Sequence, residues 1–247
     1  MARHSKWHNI KHHKMAADYK KGKVFTKHAK LIAMAARGGG DPDHNPLLKS
    51  MIENARAENV PNDNIERAIK KGTGEDKNAA VFEELIYEGF GPGGVAMLIQ
   101  VLTDKKNRAL GNIRTIMGKN GGRMGEAGSV AWGFKKVGVI LLEIPEGMQS
   151  KLEELELALI DWSALDVVAD GYFLRALTMP EDLGRIRKAA LERGLRVDSA
   201  EISYEAANKV EIDDKSAAEL NSLIEKIEAE DDVMAVFTNA EYPLNPD

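Results

Sequence analysis

The segment VGVILLEIPEGMQSKLEELELALIDWSALDVVADGYFLRALTMPEDLGRIRKAALERGLRVDSAEISY, residues 137–204, decides the architecture of this 247-residue chain. Val137 to Ile144 is a short apolar run bounded by Pro145 and reads as a strand. Ser150 to Ile160 places Leu152, Leu155 and Leu159 on one side of a helix. Leu165 to Ala169 and Tyr172 to Leu177 read as strands joined across Asp170-Gly171, a tight-hairpin signal. Thr178 and Glu181 have capping-box spacing around Pro180, Leu183, Ile186 and Ala190 mark the helix, and Gly194 ends it. Val197 to Tyr204 closes the series. The order β-α-β-β-α-β predicts a ferredoxin-like domain over 134–206.

Immediately upstream, Phe82 to Glu88 and Val95 to Leu102 read as strands around the loop Gly89-Phe90-Gly91-Pro92-Gly93-Gly94. Thr103 or Asp104 caps a helix running to about Lys119, Gly121-Gly122 stops it, and a short strand is expected near Ser129 to Trp132. Downstream lie one more amphipathic helix, Lys215 to Ala229, and one strand, Val233 to Thr238. Neither could bury its apolar face alone. The economical arrangement pairs them with the upstream elements, giving a discontinuous α/β domain of 79–133 plus 207–247 with the ferredoxin-like domain inserted.

Further upstream the pattern is helical. Phe25, Ala29, Ile32, Ala33 and Ala36 recur at helical spacing before Gly38-Gly39-Gly40. Asn45 followed by Pro46 starts a second helix. Asp63 and Glu66 have capping-box spacing for a third, ended by Gly72. Residues 1–78 are expected to be a helical domain, with Gly72 to Ala79 as a linker. The predicted fold class is therefore α+β: a helical N-terminal domain, then two α/β-sandwich domains, one ferredoxin-like and inserted into the other.

Charge is distributed unevenly along this scheme. Residues 1–37 hold ten Lys or Arg against the single Asp18, a balance of +9, and since the whole chain is −5 the remainder carries −14. A cationic head on an acidic body points to a polyanionic partner. The candidate phosphate contacts are Arg3, Lys6, Lys11, Lys14, Lys20, Lys21, Lys23, Lys27, Lys30 and Arg37, with His4, His12 and His13 as further donors and Trp7 placed to stack on an unpaired base. No arginine spacing here specifies a base-reading helix. A second basic surface is expected around the helix start at 103–108: Lys105, Lys106 and Arg108, with Arg114, Lys119, Arg123, Lys135 and Lys136.

Other chemistries lack their residues. The chain has no cysteine, which excludes disulfides and thiolate sites. His4, His8 and His12 lie four apart, but no carboxylate stands near them and a dication would enter a strongly positive arm, so no metal site is expected. All six histidines fall within 4–44, and no Ser-His-Asp or related constellation is legible, so neither a catalytic residue nor a cofactor is expected. The Gly89–Gly94 loop precedes a strand and lacks the Lys-Ser/Thr ending of a P-loop, so it reads as a hairpin connection. No apolar run approaches 18 residues and the N-terminus lacks a signal-peptide core; a cytoplasmic protein without a membrane span is expected.

Several ordered motifs carry a resemblance. HSKWHNIKHHK (4–14), GKVFTK (22–27), AARGGGDPDHNPLL (35–48), NVPNDNIERAIKKGTG (59–74), YEGFGPGGVA (87–96), LTDKKNR (102–108) and GSVAWGF (128–134) resemble the YebC family. Arg3 stands where that family usually has Gly, and Ser163-Ala164-Leu165-Asp166 where a GAED-like run is usual. The resemblance implies three domains with a helical N-terminal one, and a regulator of gene expression. DNA-binding transcriptional regulation is the leading expectation; the alternatives are a ribosome-associated translational activator binding ribosomal or transfer RNA, and an interaction scaffold. A protein partner or self-association is expected to use the α/β domains.

Overall fold

The computed structural model describes residues 19–75, 81–144, 152–170 and 172–243, and these divide between two compact units, 1–129 with 210–247 and 130–209. The first unit begins with three helices: α1 (Tyr19–Ala35), α2 (Pro46–Ala57) and α3 (Asn62–Gly72). Asn45 caps α2 by accepting the Leu48 N–H at 3.1 Å, with Pro46 at the first helical position. Its amide also donates to the carbonyls of Ala35 and Gly39, both at 2.8 Å, which ties the α1–α2 turn together. Ile32, Ala36, Leu48, Ile52, Ala55, Val60 and Ile65 form the core of this bundle.

One expectation for α3 is corrected. The Asp63/Glu66 capping box does not form, because the helix already starts at Asn62 behind Pro61 and Asp63 lies inside its first turn. Gly72 ends the helix, as its position suggests. A Cβ there would lie 2.2 Å from the Ala33 carbonyl oxygen and 2.6 Å from the Ala36 Cβ, so this glycine permits the close crossing of α1 and α3.

The same unit continues with β1 (Glu83–Phe90), β2 (Ala96–Thr103), α4 (Lys106–Lys119) and β3 (Arg123–Met124), and is completed after residue 210. β1 and β2 form an antiparallel hairpin with Glu83 opposite Thr103 and Phe90 opposite Ala96. The glycine loop is the hairpin turn. Gly93 (φ +72°) and Gly94 (φ +75°) take backbone conformations closed to most side chains, and a Cβ on Gly93 would press on Ile212 and Ser216. The expected strand near Ser129 to Trp132 is a single 3₁₀ turn, Ala131–Gly133; the extra strand is instead β3, paired with Gly89 and Phe90 of β1.

In the second unit, β4 (Phe134–Glu143), α5 (Leu152–Asp161), β5 (Asp166–Asp170), β6 (Phe173–Thr178), α6 (Leu183–Glu192) and β7 (Arg196–Ala206) form a sheet in the order β5-β6-β4-β7. That order and its antiparallel pairing are those of a ferredoxin-like βαββαβ fold. Ile140, Leu142, Leu174 and Ala176 on the sheet pack against Leu155, Leu159, Ile186 and Ala190 of the helices. The Thr178/Glu181 box is not made. Thr178 is the fully buried last residue of β6, opposite Gly138, and the helix starts only at Leu183. Asp170 belongs to β5, and the tight-turn expectation at Gly171 lies outside the described residues.

The chain then returns to the first unit through β8 (Val210–Glu211), α7 (Asp214–Glu228), β9 (Val233–Thr238) and β10 (Ala240–Glu241). β9 pairs with β2 and completes the sheet β3-β1-β2-β9. Met97, Ile99 and Val101 of β2 pack with Ile113 and Met117 of α4 and with Leu220, Leu223 and Ile227 of α7. Leu98 and Leu102, on the opposite face of β2, are buried as well, which explains why this strand reads as a nearly unbroken apolar run.

Candidate nucleic-acid interface

The predicted phosphate contacts fall into three groups. Arg3, His4, Lys6, Trp7, Lys11, His12, His13 and Lys14 lie outside the described residues. Lys20 and Lys21 belong to the first turn of α1. The remaining lysines of α1 face inward in part, toward the C-terminal elements of their own unit. Lys23 Nζ donates to the Glu228 carbonyl, and Lys27 Nζ to the Met234 carbonyl at 3.3 Å. Burial lowers the Lys23 pKa, opposed by the nearby charges of Asp231, Glu228 and Glu230.

Lys30 departs furthest from its expected role. It is buried, and its Nζ donates to the Leu102 carbonyl at 3.1 Å, the Asp231 carbonyl at 2.8 Å and Asp232 Oδ1 at 2.9 Å. An ammonium has three N–H donors, so all are used within the protein. Lys30 is therefore a structural cation and is withdrawn from the phosphate-binding set. Its partner Asp232 also accepts from Arg108 Nη2 at 2.8 Å. Burial alone would raise the Asp232 pKa, but the hydrogen bonds from Arg108 and Lys30 and the Lys30 charge outweigh it and hold the carboxyl below its usual range.

Arg37, at the end of the bundle's first turn region, is exposed. The exposed cations of the bundle that were not among the expected contacts include Arg56 at the end of α2 and Lys70 and Lys71 at the end of α3. They sit outside the dense basic run, but their last-turn positions on helices are a sequence-level signal for exposure.

The second basic surface is built on α4. Ala109, Ile113 and Met117 bury one side of this helix, which leaves Lys105, Lys106, Arg108, Arg114 and Lys119 exposed on the rest. Thr103 does not cap the helix in the expected way; its buried Oγ1 accepts the Lys105 N–H at 3.0 Å, and the helix begins at Lys106. Lys106 pairs with Glu83 at 2.6 Å, and Arg108 is shared between Asp104 and Asp232. Lys105, Arg114 and Lys119 make no ion pair among the described residues. Arg123 follows on β3, its guanidinium 4.2 Å from the centre of the Phe90 ring. Lys135 and Lys136 belong to the other unit, exposed at the start of β4, with Lys135 opposite Glu205.

Among the described residues no group of three or more His, Asp or Glu side chains is placed to hold a metal ion, and no helix is long and apolar enough to cross a membrane. His28 is buried with its Nδ1 unpartnered, and His44 pairs at the surface with Asp41 at 2.7 Å.

Comparison with known proteins covers nearly the whole chain. Residues 5–75 match the model of the TACO1/YebC protein N-terminal domain, and residues 82–240 that of the TACO1/YebC second and third domain. A protein of Maridesulfovibrio salexigens is 46% identical over 243 residues, and one of Moorella thermoacetica is 47% identical over 246; in each case the match covers 98% of this chain and 96% of the relative. Both carry the name "probable transcriptional regulatory protein". The crystal structure of a conserved hypothetical protein from Aquifex aeolicus is similar with a TM-score of 0.84 at 36% identity, over 92% of this chain and 93% of that one.

Proposed function

This chain belongs to the TACO1/YebC family, and from that premise we propose that it is a non-enzymatic regulator of gene expression that grips a nucleic-acid backbone. The observation that carries the reading is the exposed side of α4, where Lys105, Arg114 and Lys119 stand without ion pairs among the described residues. A cation without a protein partner gains most from a phosphate, because binding releases the counterions condensed on the polyanion. The basic arm of residues 1–18 adds Arg3, Lys6, Lys11 and Lys14 to the same account. These contacts position a backbone and read no base, so they supply affinity while a target is selected by other means. The naming of the relatives favours duplex DNA as the ligand and transcription as the regulated step.

One observation favours RNA. The Arg123 guanidinium over the Phe90 ring joins a cation to an aromatic face, a combination suited to an unpaired base rather than to one already stacked in a duplex. On that reading the chain acts on translation, at ribosomal or transfer RNA. Affinities for duplex DNA, single-stranded RNA and ribosomes, measured at matched salt, separate the two. Binding that is weak for all three, with no salt dependence, overturns both.

A further inference from the structure

The ferredoxin-like unit carries an apolar strip that its own core does not use. Leu155, Ala158 and Leu159 of α5 are buried against the sheet, yet Leu157 and Ile160 on the outer side are 62% and 54% exposed. At spacing i, i+3 they are neighbours on the helix surface. Ser163, with φ +75°, turns the chain back, and Leu165 enters β5 with 57% of its surface exposed. Leu165 directly precedes β5, and its N–H donates to the Leu177 carbonyl at 2.7 Å, which holds it against β6 at the open edge of the sheet. Single exposed apolar residues are ordinary; two adjacent ones on a helix face, with a third five residues further along the chain, on a surface otherwise rich in charge mark a contact site.

The surroundings of the strip select its partner. From Leu152 to Leu174 the chain contains no Lys, Arg or His. Glu153 and Glu154 stand one turn before Leu157, and Asp161 and Asp166 flank Ile160 and Leu165. None of these four carboxylates has an ion-pair partner among the described residues. In sequence the bounding cations are Lys151 and Arg175, the latter paired with Glu205, and the Arg193 guanidinium sits 5.9 Å from the centre of the half-buried Trp162 ring. Nucleic acid is repelled by such a field, and two copies of the chain joined face to face here would oppose carboxylate to carboxylate.

We propose that the outer face of α5, together with Leu165 at the edge of the sheet, docks a cationic amphipathic helix of a partner protein. Leucine-like side chains of that helix cover Leu157, Ile160 and Leu165, while its Lys or Arg residues meet the flanking carboxylates. This surface is independent of the nucleic-acid reading, since it lies on other residues and takes a partner of opposite charge.

The test uses the full chain and a fluorescein-labelled synthetic Leu/Lys peptide of about 18 residues, about five helical turns, with one apolar face. The controls are a peptide of the same composition scrambled to remove that face and a Leu/Glu version. Fluorescence anisotropy is expected to show saturable binding of the amphipathic Leu/Lys peptide only. L157S/I160S and, separately, E153Q/E154Q/D161N are each expected to weaken it by about tenfold or more. All five positions are on the solvent side of α5, and circular dichroism checks that both variants keep the fold. Equal binding of the scrambled peptide, or unchanged binding by both variants, overturns the proposal. So does sedimentation showing a dimer that L157S/I160S dissociates, which would assign the face to a second copy.

Discussion

Lys30 spends its three donors on Leu102, Asp231 and Asp232, so its replacement leaves those acceptors short of a donor rather than merely removing a cation. Lys30→Ala is expected to destabilise the first unit by about 2–4 kcal/mol, toward the lower end because Arg108 remains on Asp232. Denaturant unfolding measures this. The folded pKa of Asp232 is depressed, so its contribution is present above the unfolded carboxylate value near 4 and is lost as pH falls through the folded one. The gap between wild type and Lys30→Ala should accordingly narrow below about pH 4. His28 works in the other range. Burial, and secondarily the Lys27 charge, lower its pKa, so the folded state resists its protonation. That contribution is complete above the unfolded value of about 6.5 and falls with pH below it, by at most about 1.4 kcal/mol per pH unit. His28→Leu also removes the unpartnered Nδ1, and it is expected to abolish this slope between pH 7 and 5 without loss of stability at neutral pH. Neither role was legible from the chain. Lys30 sits in a basic run that reads as a phosphate grip, while its partner Asp232 is 202 residues away.

Elements were legible where their signals are local. The Asn45-Pro46 start of α2 holds because cap and helix lie within four residues, and Asp213 likewise caps α7 on the Ser216 N–H at 2.7 Å. The β-α-β-β-α-β order of the second unit rests on alternation and helical spacing over long segments, which the sheet order matches. Two capping-box readings failed, the first for a local reason and the second for a tertiary one. Pro61 starts α3 before Asp63 could cap it, and β6 consumes Thr178 as its buried final residue. Gly72 ends its helix as its position suggests, but the room it makes for α1 is a tertiary fact with no local signal. Gly72→Ala should push α1 from α3 and cost about 1–3 kcal/mol, with hydrogen exchange accelerating first in those two helices. An alanine in an ordinary helix end would change stability by no more than a few tenths, and that outcome would deny the close crossing.

At the scale of the whole molecule, charge separates what binds from what folds. The sequence shows a basic head and an acidic remainder, but it does not show which cations are already satisfied. The fold makes that division for the described residues: Lys30 is consumed, Lys106 and Arg108 are paired, and Lys105, Arg114 and Lys119 are left over. If the leftover cations and the arm both meet phosphates, their effects appear in the salt dependence of binding more clearly than in affinity at one salt. Each phosphate contact contributes about 0.9 to the slope of log affinity against log salt on duplex DNA, and about 0.7 on a single strand. Deleting residues 1–14 removes Arg3, Lys6, Lys11 and Lys14 and none of the described residues, and circular dichroism checks that the fold is kept. It should flatten the slope by about 3–4 units on a duplex, four contacts at 0.9 each. Arg114→Ala with Lys119→Ala should flatten it by about 2, and the two losses are expected to add. Lys106→Ala, whose cation is already held by Glu83, should change it by less than either free residue. A slope that survives both the deletion and the double variant would mean that neither surface meets the backbone, and the proposed function would fall with it.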